Sequence, residues 1–182
     1  SGRTNKATPM QACGATGCHA QATGTTTIDS IFLVDSATQA VASQYIAGKT
    51  YYLGFIGNYL GTVNMRKYGF ILNNGGKGTF INPPASTTVN TSGGISYWGH
   101  TAPKDSAVRI PISPPMALTY YYDTIRWVSP TTGSGTVTFA MLLNAVNGDG
   151  NTTSDRTAAG INRSYTEYSN NASVSIARLG AG

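Results

Sequence analysis

Apolar residues come in short β-branched and aromatic runs cut by glycine, proline and asparagine, and no segment keeps a 3.6-residue apolar period between capping residues. Residues 25–34 form the first such run. Residues 44–60 form a second, broken at Gly48 and Gly54, and 65–72 a third, ended by the turn-forming Asn73-Asn-Gly-Gly-Lys-Gly. The short run 79–81 stops at Pro83 and Pro84. After a polar loop, strands are expected over 95–101, 107–112, 118–128 and 135–143, each bounded by proline or glycine. Short strands at this spacing predict an all-β fold, an antiparallel immunoglobulin-like β-sandwich. Trp127 and the alternating run 136–143 predict its packed centre, with the indole filling the space between two sheets.

At 182 residues the chain fits one domain, and a fold of this size buries roughly 70% of its unfolded surface, so size alone demands no cofactor. The pattern divides it into a polar N-terminal arm (1–12), a sandwich domain with its N-terminal loop (13–156), and a C-terminal strand or tail (157–182). Charged residues make up only 10% of the chain, against roughly 25% in ordinary soluble proteins. Such a polar but weakly charged surface suits secreted, surface-layer or polymer-forming proteins, because little like-charge repulsion holds copies apart. The net charge of +5 is scattered without any basic run, which argues against nucleic-acid binding. The longest apolar stretch, 51–60, is too short and too interrupted to span a bilayer, so no transmembrane segment is expected. No signal peptide opens the chain, and an exported protein would be present here in its mature form. Glycosylation sequons at Asn90, Asn151, Asn162 and Asn171 permit sugar without requiring it.

Candidate chemistry concentrates in Cys13-Gly-Ala-Thr-Gly-Cys18-His19, which holds both cysteines and one of the two histidines. It reads as a c-type haem attachment motif in the spaced form CxxxxCH. Two thiols add across the haem vinyl groups as thioethers, and the adjacent imidazole lies beneath the iron. Cys13 and Cys18 would then tether one covalent haem c, with His19 as the proximal iron ligand. The usual spacing between the cysteines is two residues; the longer loop here is eased by Gly14 and Gly17. Two alternatives compete. A Cys13–Cys18 disulfide suits an exported protein but leaves His19 unexplained, and zinc lacks ligands, since only His100 remains outside the cluster.

A six-coordinate iron needs a second axial ligand. His100, in Ile95-Ser-Tyr-Trp-Gly-His100-Thr, is the expected distal ligand, with Gly99 allowing a flat macrocycle close to the backbone. Met10, Met65, Met116 and Met141 are rivals; Met141 reads as buried, so Met65 and Met116 are the reserves. With both axial positions filled, such a centre carries electrons and is no enzyme. No nucleophile, base and orienting acid can be assembled from what remains. The loop 144–155 offers Asn147, Asp149, Asn151 and Asp155 as oxygen ligands for calcium, but it lacks a terminal glutamate and reads better as turn chemistry.

Several segments together resemble the choice-of-anchor V domains, relatives of the Reeler sandwich: Cys18-His19, Lys67-Tyr-Gly-Phe70 with Gly78-Thr-Phe80, Trp98-Gly-His100-Thr-Ala, Ile125-Arg-Trp-Val-Ser-Pro130, and 135–139 running into 144–150. The resemblance covers about 13–156. It implies an exported β-sandwich with a haem c at one end and places the family's segment histidine at His100. The chain departs from the family in its CxxxxCH spacing, and 157–182 shows no sorting tail or membrane anchor. Retention at the surface would then come from polymerisation, with an N-terminal arm or C-terminal strand added to a neighbour's sheet edge. The reading is thus an extracellular or cell-surface monohaem cytochrome. It would exchange electrons with other redox proteins or extracellular acceptors, as a homo-oligomer or the repeating subunit of a filament. The alternative is an adhesive or pilus-like structural sandwich with a Cys13–Cys18 disulfide; a third reading, a haem sensor or peroxidase, would need a mobile His100.

Overall fold

The structure is a computed structural model that describes residues 20–21, 24–105, 108–113, 115–149 and 153–169. Its strands are β1 (Ala20–Gln21), β2 (Thr25–Asp35), β3 (Val41–Ala42), β4 (Thr50–Gly61), β5 (Lys67–Asn73), β6 (Thr79–Ile81) and β7 (Thr87–Ser92), followed by β8 (Ile95–His100), β9 (Lys104–Asp105), β10 (Val108–Ser113), β11 (Met116–Val128), β12 (Val137–Val146), β13 (Thr153–Thr157) and β14 (Ile161–Tyr165). They form two sheets. The first runs β1-β13-β12-β5-β8-β7, with β14 also on β12 and β9 also on β5; the second runs β10-β11-β4-β2-β3, with β6 also on β11. All named strand pairs are antiparallel except β1 with β13. The fold is the all-β antiparallel sandwich that the spacing of short strands predicts.

Period-two side-chain alternation builds the core. Along β11 every second residue from Ala117 to Trp127 is buried, while Tyr122, Thr124 and Arg126 face outward. This strand pairs with β4 along its length, from Ala117 opposite Gly61 to Val128 opposite Thr50. From the other sheet, Val137, Phe139, Met141, Leu143 and Ala145 of β12 point into the same space. Trp127 lies edge-on to Phe139, with centroids 5.1 Å apart, and edge-on to Tyr45 at 5.7 Å. A second focus joins Phe70 to Phe55 at 4.8 Å and to Trp98 at 4.7 Å. The buried tyrosines satisfy their hydroxyls on distant backbone, Tyr121 on the Met65 carbonyl at 2.8 Å and Tyr165 on the Ile31 carbonyl at 3.0 Å. These bonds tie strand to loop and sheet to sheet.

The structure departs from the sequence reading in three places. The second strand region begins only at Thr50, because 44–49 loop around Ser129, whose hydroxyl accepts from Lys49 N and sits 2.6 Å from the Ile46 carbonyl. Local side-chain bonds replace ladder bonds there. The polar stretch read as a loop contains β7, which pairs only with β8 at the sheet edge and so needs no apolar face. Beyond 143 come β13 and β14. Tyr165 of β14 is buried against Phe139, so the sandwich takes in the first part of the segment read as a C-terminal strand or tail.

One inward position is poorly matched to its surroundings. Thr119 is 1% exposed, and its hydroxyl has no hydrogen-bond partner among the described residues. A buried orphan hydroxyl costs about 1–3 kcal/mol. Thr119→Val keeps the shape and the β-branch, so it should raise the free energy of unfolding by about 1 kcal/mol. A urea titration showing no gain, or a loss, would refute this.

Candidate functional site

Cys13, Cys18 and His19 lie outside the described residues, as do Met10, Asn151 and Asn171. His100 is within them, and its place follows from the strands around it. The loop between β7 and β8 is Gly93-Gly94, both with positive φ (59° and 77°), the pattern of a tight I′ hairpin turn that fixes the register of its strands. That register turns Trp98 inward opposite Leu72 and brings His100 level with Phe70. After Gly99 the chain leaves the β5 ladder, which β9 resumes at Tyr68 opposite Lys104. The His100 imidazole fills the interval. Its Nδ1 lies 2.8 Å from Phe70 N and 2.9 Å from Phe70 O, standing in for the missing strand partner. The ring has room because residue 69 is glycine: a Cβ there would lie 2.6 Å from His100 Cε1.

The chemistry left to His100 depends on its tautomer. When the Phe70 N–H donates to Nδ1, the ring proton sits on Nε2, and that atom cannot bind a metal. When Nδ1–H donates to the Phe70 carbonyl, Nε2 keeps a lone pair in a residue that is exposed to solvent.

Ala20, the residue after His19, sits on β1, which pairs with Thr153 at the outer edge of the first sheet, and three strands, β13, β12 and β5, stand between β1 and the β8 that carries His100. The pairing of His19 with His100 lies outside the described residues.

The methionine reserves separate. Met65 is fully buried in the core, and Met141 is buried on β12 as its apolar run implies. Met116, 40% exposed at the β10–β11 turn, keeps an accessible thioether. In the loop after β12, Asn147 Nδ2 donates to Asp149 Oδ2 and Asp149 N donates to Asn147 Oδ1. Asp155, 2% exposed, accepts from Asn147 N at 3.4 Å. These are the bonds of a self-closed turn. Asn90 and Asn162 are exposed on β7 and β14. Among the described residues no group of three or more His, Cys, Asp or Glu is placed to hold a metal ion, and no helix is long and apolar enough to cross a membrane.

The sequence reading missed the charged pairs, of which one is nearly buried. Asp123 occupies an inward position of β11, 9% exposed, where Lys104 of β9 meets its carboxylate and Thr124 N donates to it. The signal was present: 123 shares its parity with Tyr121, Ile125 and Trp127. The pair links the two sheets, and breaking it by removing one partner would leave a charge nearly buried. A second pair, Asp35 with Lys49, closes the turn after β2, and the ammonium together with the Ala37 N–H holds the Asp35 carboxyl down at about 2.

No protein-family model matches the chain, and neither does any curated protein. Among solved structures it is similar to the Reelin-N domain of F-spondin (TM-score 0.45, 11% identity, covering 83% of this chain and 90% of that one). It is likewise similar to a human F-spondin reeler domain (TM-score 0.43, 12% identity, 86% and 96% covered). A more distant likeness is the full-length major pilin SpaD from Corynebacterium diphtheriae (TM-score 0.34, 10% identity, 76% and 35% covered). This chain is thus a β-sandwich similar to Reeler domains, and no role passes to it from them.

Proposed function

We propose that this chain is a structural, non-enzymatic β-sandwich module of an extracellular assembly, adhesive or pilus-like, with Cys13 and Cys18 joined as a disulfide. The observation that carries this reading is how the fold spends its polar chemistry. His100 completes a strand edge, Ser129 organises the 44–49 loop, Asp123 and Lys104 bridge the sheets, and Glu167 accepts the N–H groups of Gly133 and Gly135. Each acts on the fold itself. The sparse charge of the whole chain supports assembly, since neighbouring copies repel little.

The spacing of Cys13, Cys18 and His19 favours a second reading, a surface cytochrome with one covalent haem c, alone or repeated along a filament. The group would supply one-electron exchange at its iron. This chain would tether it through Cys13 and Cys18 and orient it by His19. His100 would supply the second iron ligand through Nε2 when its Nδ1–H donates to the Phe70 carbonyl.

Intact mass and a pyridine haemochrome assay on protein purified from its native source separate the two. The first reading expects colourless material whose mass rises by two hydrogens on reduction. A mass gain of one porphyrin that survives denaturation would overturn it and establish the second.

A further inference from the structure

We infer that the outward face of the second sheet, across β10, β11, β4 and β2, is where a second copy of this chain docks. This deepens the assembly reading above and rests on it. The cysteine state is read by mass and the docking by association, so either can fail alone.

Among the described residues nothing covers the face, and it is unusually apolar for solvent-facing strands. Ile56 of β4, Tyr122 of β11 and Ile110 of β10 are 39%, 58% and 46% exposed, and Ile56 and Tyr122 sit directly opposite each other. Leu118 extends the apolar surface, opposite Ile110. At the centre the end of the Phe32 ring lies over its register partner Gly54, where a Cβ would fall 2.5 Å from it. The outward positions of β2, β4 and β11 carry only two formal charges, Asp29 and Arg126.

Size and charge both point to a copy of the same chain. The face runs about 30 Å along its strands and about 19 Å across four of them, or about 600 Å² per copy and 1,200 Å² for a pair, where specific interfaces begin. Its two charges are opposite in sign and placed for self-complementarity. Asp29 lies on β2 near the level of Ile56, and Arg126 lies on β11 level with Tyr52, so their midpoint falls on β4 near Gly54. A two-fold axis through that point sets each Asp29 against the other copy's Arg126 and gathers Ile56 and Tyr122 at the centre. A strongly charged foreign partner would find no counterpart on this surface.

Sedimentation velocity of the full chain, up to about 100 µM, tests the inference. The wild type should associate reversibly, and Ile56→Lys or Tyr122→Lys should weaken association at least tenfold while near-ultraviolet circular dichroism stays native. Asp29→Lys and Arg126→Glu should each weaken it severalfold, and the double exchange should restore most of the loss. A wild type that stays monomeric throughout would overturn the inference. So would association indifferent to Ile56→Lys and Tyr122→Lys but abolished by deleting residues 170–182, the signature of strand exchange. Charge exchanges that fail to compensate would overturn the two-fold arrangement.

Discussion

Trp127→Ala should destabilise the fold by about 3–5 kcal/mol, the range for deleting a buried aromatic side chain and leaving a cavity. Against a total stability of about 5–15 kcal/mol this removes between roughly a fifth and all of it. The indole is fully buried where the two sheets meet. It packs edge-on against Phe139 and Tyr45, lies 6.1 Å from Tyr51, and sits opposite both Tyr51 of β4 and Phe80 of β6 in the ladder. Its Nε1 donates to the Lys77 carbonyl at 3.3 Å, and a Cβ on Gly78 would lie 2.5 Å from that nitrogen, so the chain closes tightly over the ring. These neighbours come from strands and turns that cannot move together to refill the space, which places the cost toward the upper end of the range. Trp127→Phe should cost less, because most of the apolar volume returns. Urea titrations followed by far-ultraviolet circular dichroism give both values; an alanine variant within about 1 kcal/mol of wild type would show that the site collapses freely.

The second large effect is alkaline unfolding. Burial pushes the hydroxyls of Tyr121 and Tyr68 well above the ordinary value of 10.0, with smaller like-charge contributions from Tyr59 at the first and from Asp123 and Tyr122 at the second. Tyr121 is fully buried and Tyr68 is 2% exposed, so solvent does little to relieve either shift. The folded state holds protons that the unfolded chain gives up near pH 10. Stability from these groups is therefore complete below pH 10 and falls as pH rises toward their folded values, by about 1.4 kcal/mol per pH unit for each tyrosine. The expected result is cooperative unfolding above pH 10, with tyrosinate absorbance rising in step with loss of β structure. Tyr121→Phe sharpens the test. It forfeits the bond to the Met65 carbonyl, about 1 kcal/mol at neutral pH, but it removes one titration and flattens the alkaline slope by about 1.4 kcal/mol per pH unit. Tyrosine ionisation complete before any structural change would contradict the assignment.

Much of the sandwich was legible because burial on one face of a sheet imposes alternation. Residues 118–128 and 135–143 carry that alternation plainly, and the structure extends them only to Met116–Val128 and Val137–Val146. Trp127 was recognisable as core for the same reason. β7 was not, since an edge strand of threonine and asparagine looks like a loop until a partner supplies its hydrogen bonds. Tyr45 was another silent case. Its loop lies in a region read as strand, yet the side chain is fully buried, and its residue bridges Glu167, far away in sequence.

The candidate site was legible only as composition. Clustering of Cys13, Cys18 and His19 shows in the chain itself, and so does the rarity of His100. Nothing in the sequence says how far apart β1 and β8 stand, because that distance depends on strand order, and strand order is set by pairing between segments remote from each other.

By itself, then, the sequence determined the all-β class, the inward-facing parity of its long strands and the identity of its reactive groups, since each of these rests on local sterics or covalent chemistry. Tertiary structure alone decided that His100 closes a strand edge, that Met65 is sealed in the core and Asp123 pairs with Lys104, and that one sheet face is left apolar and uncovered among the described residues. Those outcomes depend on which strands become neighbours, a choice made by the whole chain burying its apolar surface at once.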